Sequence, residues 1–335
     1  MTGSKVKYWY IADGDGRRAY SDVFLNFGVM LLGPGDSGNY FENQTAYHDE
    51  NYVRWFVEDV RPGDIVILKH GVKSIIAAGT VDEREDSYEH FEVFSDVEGF
   101  SLQHGRYVTW HKDEKQEHVD LNLPRDRLCQ CQKPGIQAIA RRIIKENKPE
   151  RPEKIPPPAK KVDDEELTKH LIEQGLSSGQ AEDVVRAFWR VRRLGRWYED
   201  QDEQVSEHET RTFLVTPLIL ALGWSEQRLK IEWKRIDIAF FETNYSHNLH
   251  PTMILESKRL DEPLGGASEQ VKQYSVKFPD CNKLVASNGI RYLSFEKDNG
   301  RWQAKAYLNL LDLRYRHPYL THVRGAPDLL TQLLP

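Results

Sequence analysis

Arg235-Ile236-Asp237 and, nineteen residues beyond the aspartate, Glu256-Ser257-Lys258 form the stretch whose reading decides the fold. Each acid belongs to a run of strand composition. The first is Leu229 to Phe241, with Ile231, Ile236, Ile238, Phe240 and Phe241; the second is Thr252-Met253-Ile254-Leu255-Glu256. Adjacent buried strands ending in Asp and in Glu-x-Lys bring two carboxylates and an ammonium within reach of one divalent ion. A hard cation such as magnesium takes oxygen ligands and keeps several waters, so Asp237, Glu256 and the backbone carbonyl of Ser257 suffice to hold it. Such an ion lowers the pKa of a bound water and stabilises charge on a phosphoryl oxygen. Lys258, on the strand face of Glu256, is placed to orient that water or to neutralise developing charge. The bland reading is a pair of strand-end carboxylates in surface salt bridges. Two acids against one lysine do not balance, and a cation relieves their repulsion.

The flanking sequence sharpens this reading. Glu209-Thr210-Arg211 precedes Pro217-Leu218-Ile219-Leu220-Ala221-Leu222-Gly223-Trp224, Glu269-Gln270 stands four residues before Tyr274, and Ser287-Asn288-Gly289 follows. In this order, from Glu209 to about Asp312, the chain resembles the PD-(D/E)xK nuclease domain of type I restriction motor subunits. The resemblance implies an α/β/α restriction-endonuclease-like fold and Mg2+-dependent hydrolysis of DNA phosphodiesters, with Mn2+ as a substitute. It makes Asp237 and Glu256 metal ligands, Lys258 the catalytic cation, Glu209 a third acid and Gln270 an orienting amide. Read without the family, Ser206-Glu207-His208-Glu209 is a capping box in which Glu209 only reaches back to a backbone N–H. Gln270 and Tyr274 share one helical face, and Tyr274 is open to packing or to DNA contact. The polar insert Glu242 to His250 departs from the family pattern. One such site cuts one strand, so double-strand cleavage calls for a homodimer or two binding events. No P-loop signature accompanies it.

The whole chain of 335 residues reads as α/β and multidomain, with 39% hydrophobic and 29% charged residues. A net charge of −6 excludes a uniformly basic nucleic-acid coat, so DNA contacts must come from local patches. Three cysteines, two of them in Cys129-Gln130-Cys131, form no disulfide framework and no zinc spacing, which points to a reducing cytoplasm. No apolar run reaches membrane-span length, and the N-terminus lacks a signal peptide's apolar core.

Residues 1–147 form a first block. Strands are predicted at Val6 to Ile11, Phe27 to Leu32, Ile65 to Leu68, Lys73 to Val81 and Val108 to His111. Helical spacing runs over Tyr52 to Val60 and over Gly135 to Glu146. The Arg61-Pro62-Gly63-Asp64 turn feeding an apolar strand, with Gly79 in the next, resembles the PUA-like superfamily and its EVE-type domains. That implies a β-barrel with helices that reads a modified base, a modified cytosine being the expected target. Aromatic faces suited to stack on such a base are Trp9, Tyr10, Phe27, Trp55 and Trp110, although aromatics in a small barrel also fill the core. Asp64 reads as a turn residue. His104, His111 and His118 share no helical face and read as surface histidines.

Lys148 to Lys161 carries five prolines and five basic residues, so 148–162 is expected to be an extended, solvated linker. Residues 163–335 then hold two lead-in helices, Asp163 to Gln174 and Ser178 to Trp197, and the nuclease domain. Arg186, Arg190, Arg192, Arg193 and Arg196 crowd the second helix beside Trp189 and Trp197. Two readings stand equal: Arg190, Arg193 and Arg196, with Tyr274, track a DNA backbone, or the arginines pair with the acidic run Glu199 to Glu209. The expected function is a modification-dependent DNA endonuclease of the cytoplasm, with DNA as partner. The alternatives are a nuclease whose first domain binds RNA or a nucleotide signal, and a non-catalytic nucleic-acid-binding module.

Overall fold

The computed structural model describes all residues except 1–5, 15–17, 84–86, 116–121, 201–203 and 246–249. The chain is mixed α/β and divides into two compact units, Met1–Pro157 and Pro158–Pro335. No helix among the described residues is long and apolar enough to cross a membrane.

The first unit is built on a curled sheet of seven strands: β1 (Tyr8–Ala12), β2 (Val29–Leu32), β3 (Ile65–His70), β4 (Ser74–Val81), β5 (Tyr88–His90), β6 (His104–Lys112) and β7 (Leu128–Gln130). Their order is β2-β6-β4-β3-β1-β7, with β5 also paired to β6. The path is open, so the expected barrel is a half-barrel with β2 and β7 at its ends. Among the described residues, three α-helices complete the unit: α1 (Ser21–Phe27), α2 (Asn51–Arg54, continued by a wide π turn to Asp59) and α3 (Pro134–Glu146). The strand expected from Phe27 begins only at Val29, because Phe27 ends α1. Gly28 caps that helix in the left-handed region at φ 61°, which redirects the chain into β2.

Asp64 explains the Pro-Gly-Asp turn physically. It is buried and accepts hydrogen bonds from the Lys7 amide, the Arg61 amide and Trp9 Nε1 at 2.9–3.0 Å, tying the turn to β1. The Pro-rich segment is extended but not a free spacer. The Glu150 and Glu153 amides donate to the Trp110 and Asn26 carbonyls at 2.8 and 2.6 Å in the first unit. In the second unit, Lys161 bridges to Arg314, the Val162 amide donates to Leu313, and Ala159 is buried. Prolines lack the N–H that water would otherwise have to satisfy, so such a segment lies on a protein surface with few unmet donors.

The second unit holds a six-stranded sheet in the order β13-β12-β11-β10-β9-β8, comprising β8 (Leu229–Trp233), β9 (Ile236–Phe240), β10 (Met253–Ser257), β11 (Lys283–Ser287), β12 (Arg291–Asp298) and β13 (Arg301–Asn309). One face packs on α8 (Leu264–Ser275) through Ile254, Ala267, Val271 and Leu284. The other buries Ile238, Leu255 and Val285 against α4 (Asp164–Glu173), α5 (Ser178–Asp200), α7 (Thr216–Ala221) and α9 (Ala326–Leu333). A short α6 (Glu207–Glu209) runs on through a π turn, Thr210–Val215, into α7.

The run Leu229 to Phe241 is not one strand but a hairpin. Trp233 pairs with Ile236, and Lys234 and Arg235 form its two-residue loop at φ 52° and 72°. Two successive positive φ values suit the right-handed twist of the strands, as in type I′ turns. Asp237 therefore starts β9 instead of ending it. Because β9 is antiparallel to β10, with Leu255 opposite Ile238, that start meets the Glu256 end of β10.

Candidate metal centre

Glu207, Asp237 and Glu256 each offer a carboxylate oxygen, and these atoms lie within 4.8 Å of one another. Glu256 is 1% exposed. Its Oε1 accepts from Lys258 Nζ at 3.0 Å, while its Oε2 is buried with no hydrogen-bond partner. Lys258 also lies 3.6 Å from Glu207. Asp237 is held by three donors. Arg211 Nη1 binds Oδ1 at 2.5 Å, and the Ser257 amide and hydroxyl bind Oδ2 at 2.7 and 2.8 Å. Arg211 is buried and also contacts His208 and Glu232.

Four carboxylates (Glu207, Glu232, Asp237 and Glu256) thus face two cations, Arg211 and Lys258. Burial pushes the Glu256 carboxyl up to about 7, with the Asp237 charge adding to the rise and Lys258 opposing it. For Lys258, burial works against the charge, but the Glu256 hydrogen bond and the charges of Glu256, Glu207 and Asp237 prevail and raise its pKa.

The donor set fits a hard divalent cation. An ionised carboxylate accepts about four hydrogen bonds. Asp237 has one site left beyond its three donors, Glu256 has a whole oxygen, and Glu207, half-buried, pairs with Lys258. An unpaired buried carboxylate oxygen is costly unless a proton or a cation completes it.

Glu209, expected as the third acid, is elsewhere. Its carboxylate accepts from the Ser206 amide and hydroxyl at 2.9 and 2.6 Å in a complete capping box, and these bonds lower its pKa. Position N3 of the box commits that side chain to the helix end, and Glu207 supplies the carboxylate instead. Ser257, expected to act through its carbonyl, contacts Asp237 through its amide and hydroxyl. Gln270 donates to the Tyr274 hydroxyl at 2.7 Å, and Tyr274 packs, partly buried, against the α8 side of the core. Asn288 and Gly289 build the turn beneath the site. Asn288 donates to the Leu260 and Glu262 carbonyls. At φ 87°, Gly289 lies where a Cβ would meet Leu214 at 2.8 Å and Thr210 at 2.9 Å, so this turn packs directly on the helical segment carrying Arg211. Besides Glu207, Arg211 is a residue the sequence reading missed. Its signal is spacing, since it stands four residues after Glu207 and so shares its helical face.

In the first unit, four of the five aromatics expected to hold a base are structural. Trp9 is bound to Asp64, Trp110 Nε1 donates to the Val29 carbonyl at 2.9 Å, Phe27 packs edge-on against Phe94, and Tyr10 lies in the core under α3. Only Trp55, 36% exposed, reaches solvent. An apolar pocket lies elsewhere, lined by Tyr20, Leu31, Leu32, Phe100, Leu102 and Arg127. The guanidinium groups of Arg18 and Arg127 stand 4.8 and 5.5 Å from the Phe100 ring centroid. The histidines also differ from expectation. His104 is fully buried, stacked on Tyr88 and bonded to its hydroxyl at 2.9 Å, and burial lowers its pKa to about 4. His111 is half-buried on the Asn147 carbonyl, and His118 lies outside the described residues. Cys129, Cys131 and Cys281 are free thiols.

Residues 13–129 match a domain family of unknown function, DUF8426, a span that lies wholly within the first unit. No curated protein and no solved structure matches the chain.

Proposed function

We propose that the chain is a metal-dependent DNA endonuclease whose active site is Glu207, Asp237, Glu256 and Lys258. The observation that carries this reading is Glu256 Oε2, a buried carboxylate oxygen without a donor, set among two further carboxylates. Glu207, Asp237 and Glu256 would hold Mg2+ or Mn2+, which when bound activates water and offsets charge on a phosphoryl oxygen. Arg211 and Ser257 fix the Asp237 carboxylate from behind, so that its remaining lone pair points in one direction. Lys258, kept protonated by its acidic neighbours, supplies a fixed positive charge beside the reacting phosphate. Surface salt bridging, the bland alternative, does not account for a cluster in which Glu256 and Asp237 are both buried.

The first unit would act as the reader of a modified base, a modified cytosine being the proposed target. What supports this role is the Phe100 face, flanked by the Arg18 and Arg127 guanidinium groups at 4.8 and 5.5 Å. The apolar pocket of Leu31, Leu102 and Phe100 beside it measures only about 30 Å³ and would have to widen to take a flipped ring. One active site cuts one strand, so a homodimer is proposed for double-strand cleavage. The test is incubation of modified and unmodified duplexes with Mg2+ or Mn2+, beside Glu256→Gln and Lys258→Ala. Cutting that both substitutions abolish supports the reading; cutting that survives Glu256→Gln, or none on any substrate, refutes it. Phe100→Ala should erase discrimination between the duplexes while leaving the cutting chemistry intact. If RNA or a nucleotide competes better than modified DNA for the pocket, the reader has a different ligand.

A further inference from the structure

The longest helix carries a face that neither the metal centre nor the core uses. α5 buries Ala181, Val184, Phe188, Val191, Gly195 and Tyr198. At 3.6 residues per turn, Arg186, Trp189, Arg190, Arg193, Arg196 and Trp197 fall within roughly 120° of arc on the opposite side. All six are exposed, Trp189 by 46% and Trp197 by 52%. The sequence places no acidic residue between Asp183 and Glu199. Among the described residues, Arg190 and Arg196 have no ion-pair partner, Arg193 touches only the Trp189 carbonyl of its own helix, and Arg186 pairs with Asp183. Arg192 is the exception. It turns inward to the Leu310 carbonyl and Asp164, with its guanidinium 5.3 Å from the Trp189 ring. Of the two readings of these arginines, pairing with the acidic run is therefore absent among the described residues.

We propose that this face of α5 is a docking strip for single-stranded DNA. Charge selects the class of partner. A solvated helix face ordinarily mixes signs to gain (i, i+4) pairs, and this one does not. Packing against a second copy across a two-fold axis sets arginine against arginine. A polyanion takes the same charges favourably and releases its own counterions. The tryptophans select the form of the polymer. Trp189 and Trp197 stand about 12 Å apart along the axis, with arginines between them. In a duplex the bases are already stacked on one another, whereas an unpaired strand offers base faces to exposed indoles. The strip needs no metal, so its test is independent of the hydrolase reading.

The experiment is fluorescence anisotropy of the full chain with a labelled oligo-dT of about 20 nucleotides, in EDTA and over a salt series. The expected result is salt-dependent binding that Arg190→Glu/Arg193→Glu/Arg196→Glu weakens by ~100-fold or more. That triple variant should also flatten the slope of log K against log salt by about 2, the share of three single-strand phosphate contacts. Trp189→Ala/Trp197→Ala should weaken binding by about 10-fold or more with the salt slope unchanged. Lysine at the three arginine positions should keep the slope. Circular dichroism checks that the helix persists, as expected for exposed positions. The proposal is overturned if charge reversal leaves affinity unaltered, or if duplex binds more tightly and the tryptophan pair is irrelevant to it. It is equally overturned if sedimentation shows a dimer that the tryptophan substitutions dissolve, because the face then belongs to a second copy.

Discussion

His104 in the first unit and Glu256 in the second present the same anomaly with opposite meanings. Each is a buried, titratable strand residue with one polar atom lacking a partner: His104 Nε2 and Glu256 Oε2. Histidine solves the problem alone by staying neutral, and burial takes its pKa down to about 4. Tyr47, Tyr88 and His90 surround it with rings, and burial outweighs the Pro34 carbonyl, which favours a charge. Glu256 is brought only to about 7, because Lys258 holds it back from full neutralisation while Asp237 presses it upward. The first orphan atom belongs to a finished core. The second belongs to a cluster of three carboxylates, where either a proton or a cation can complete it. An unsatisfied buried atom therefore points to a ligand only when its neighbours keep it near ionisation.

The strongest way to break this contrast is to remove the charge of Glu256. Glu256→Gln is nearly isosteric, yet it should lower DNA cleavage by on the order of a thousandfold, about 4 kcal/mol of barrier. Mg2+ is expected to raise the melting temperature of the unmutated chain by binding the folded state, and the substitution should abolish that rise. A melting temperature that responds to Mg2+ equally in both proteins would place the ion elsewhere.

The pH dependence of stability sharpens the contrast, because the two groups act with opposite sign. The Glu256 pKa is raised from 4.5 to about 7, so the unfolded chain sheds this proton first. The group's contribution is fully present below 4.5 and is lost as pH rises through about 7, by on the order of 3 kcal/mol. The His104 pKa is lowered from 6.5 to about 4, so the unfolded chain binds the proton first. Its contribution is present above 6.5 and is lost as pH falls toward 4, again by on the order of 3 kcal/mol. Denaturant titrations across this range should show Mg2+ cancelling the alkaline loss and leaving the acid loss untouched. Glu256→Gln should flatten the first slope alone, and His104→Gln the second. Cleavage should rise with pH through about 7, as Glu256 ionises more readily to meet the cation.

What the sequence disclosed follows the same physics. Asp237, Glu256 and Lys258 were legible because residue type and spacing along strands fix which side chains meet. The hairpin at Lys234-Arg235 was not, since left-handed turns are signalled by Asn-Gly pairs and this one uses two long cationic residues. The second such turn, Asn299-Gly300 between β12 and β13, does carry that signal. In the first unit, Trp9 and Trp110 looked available as stacking surfaces because composition does not say which aromatics a curled sheet will cover. Their indole N–H groups satisfied by Asp64 and Val29 mark them as core, and that information exists only in three dimensions.

The smallest and most discriminating effect concerns the two acids of the 206–209 turn. Both are glutamates in the first turn of one short helix, and the sequence reading chose Glu209 where the acidic cluster holds Glu207. Glu207 faces Lys258 and the other carboxylates, whereas Glu209 closes the capping box on Ser206. Glu207→Gln should reduce cleavage by about 10-fold with little change in stability, since a half-buried third ligand contributes less than the two buried ones. Glu209→Ala should do the reverse, costing about 1 kcal/mol of stability through the lost cap while cleavage of fully folded protein stays the same. Measuring both variants for melting and for cleavage separates a metal ligand from a helix cap. If the two swap phenotypes, the helix turns to bring Glu209 inward when DNA or metal binds, and the capping box describes only the free protein.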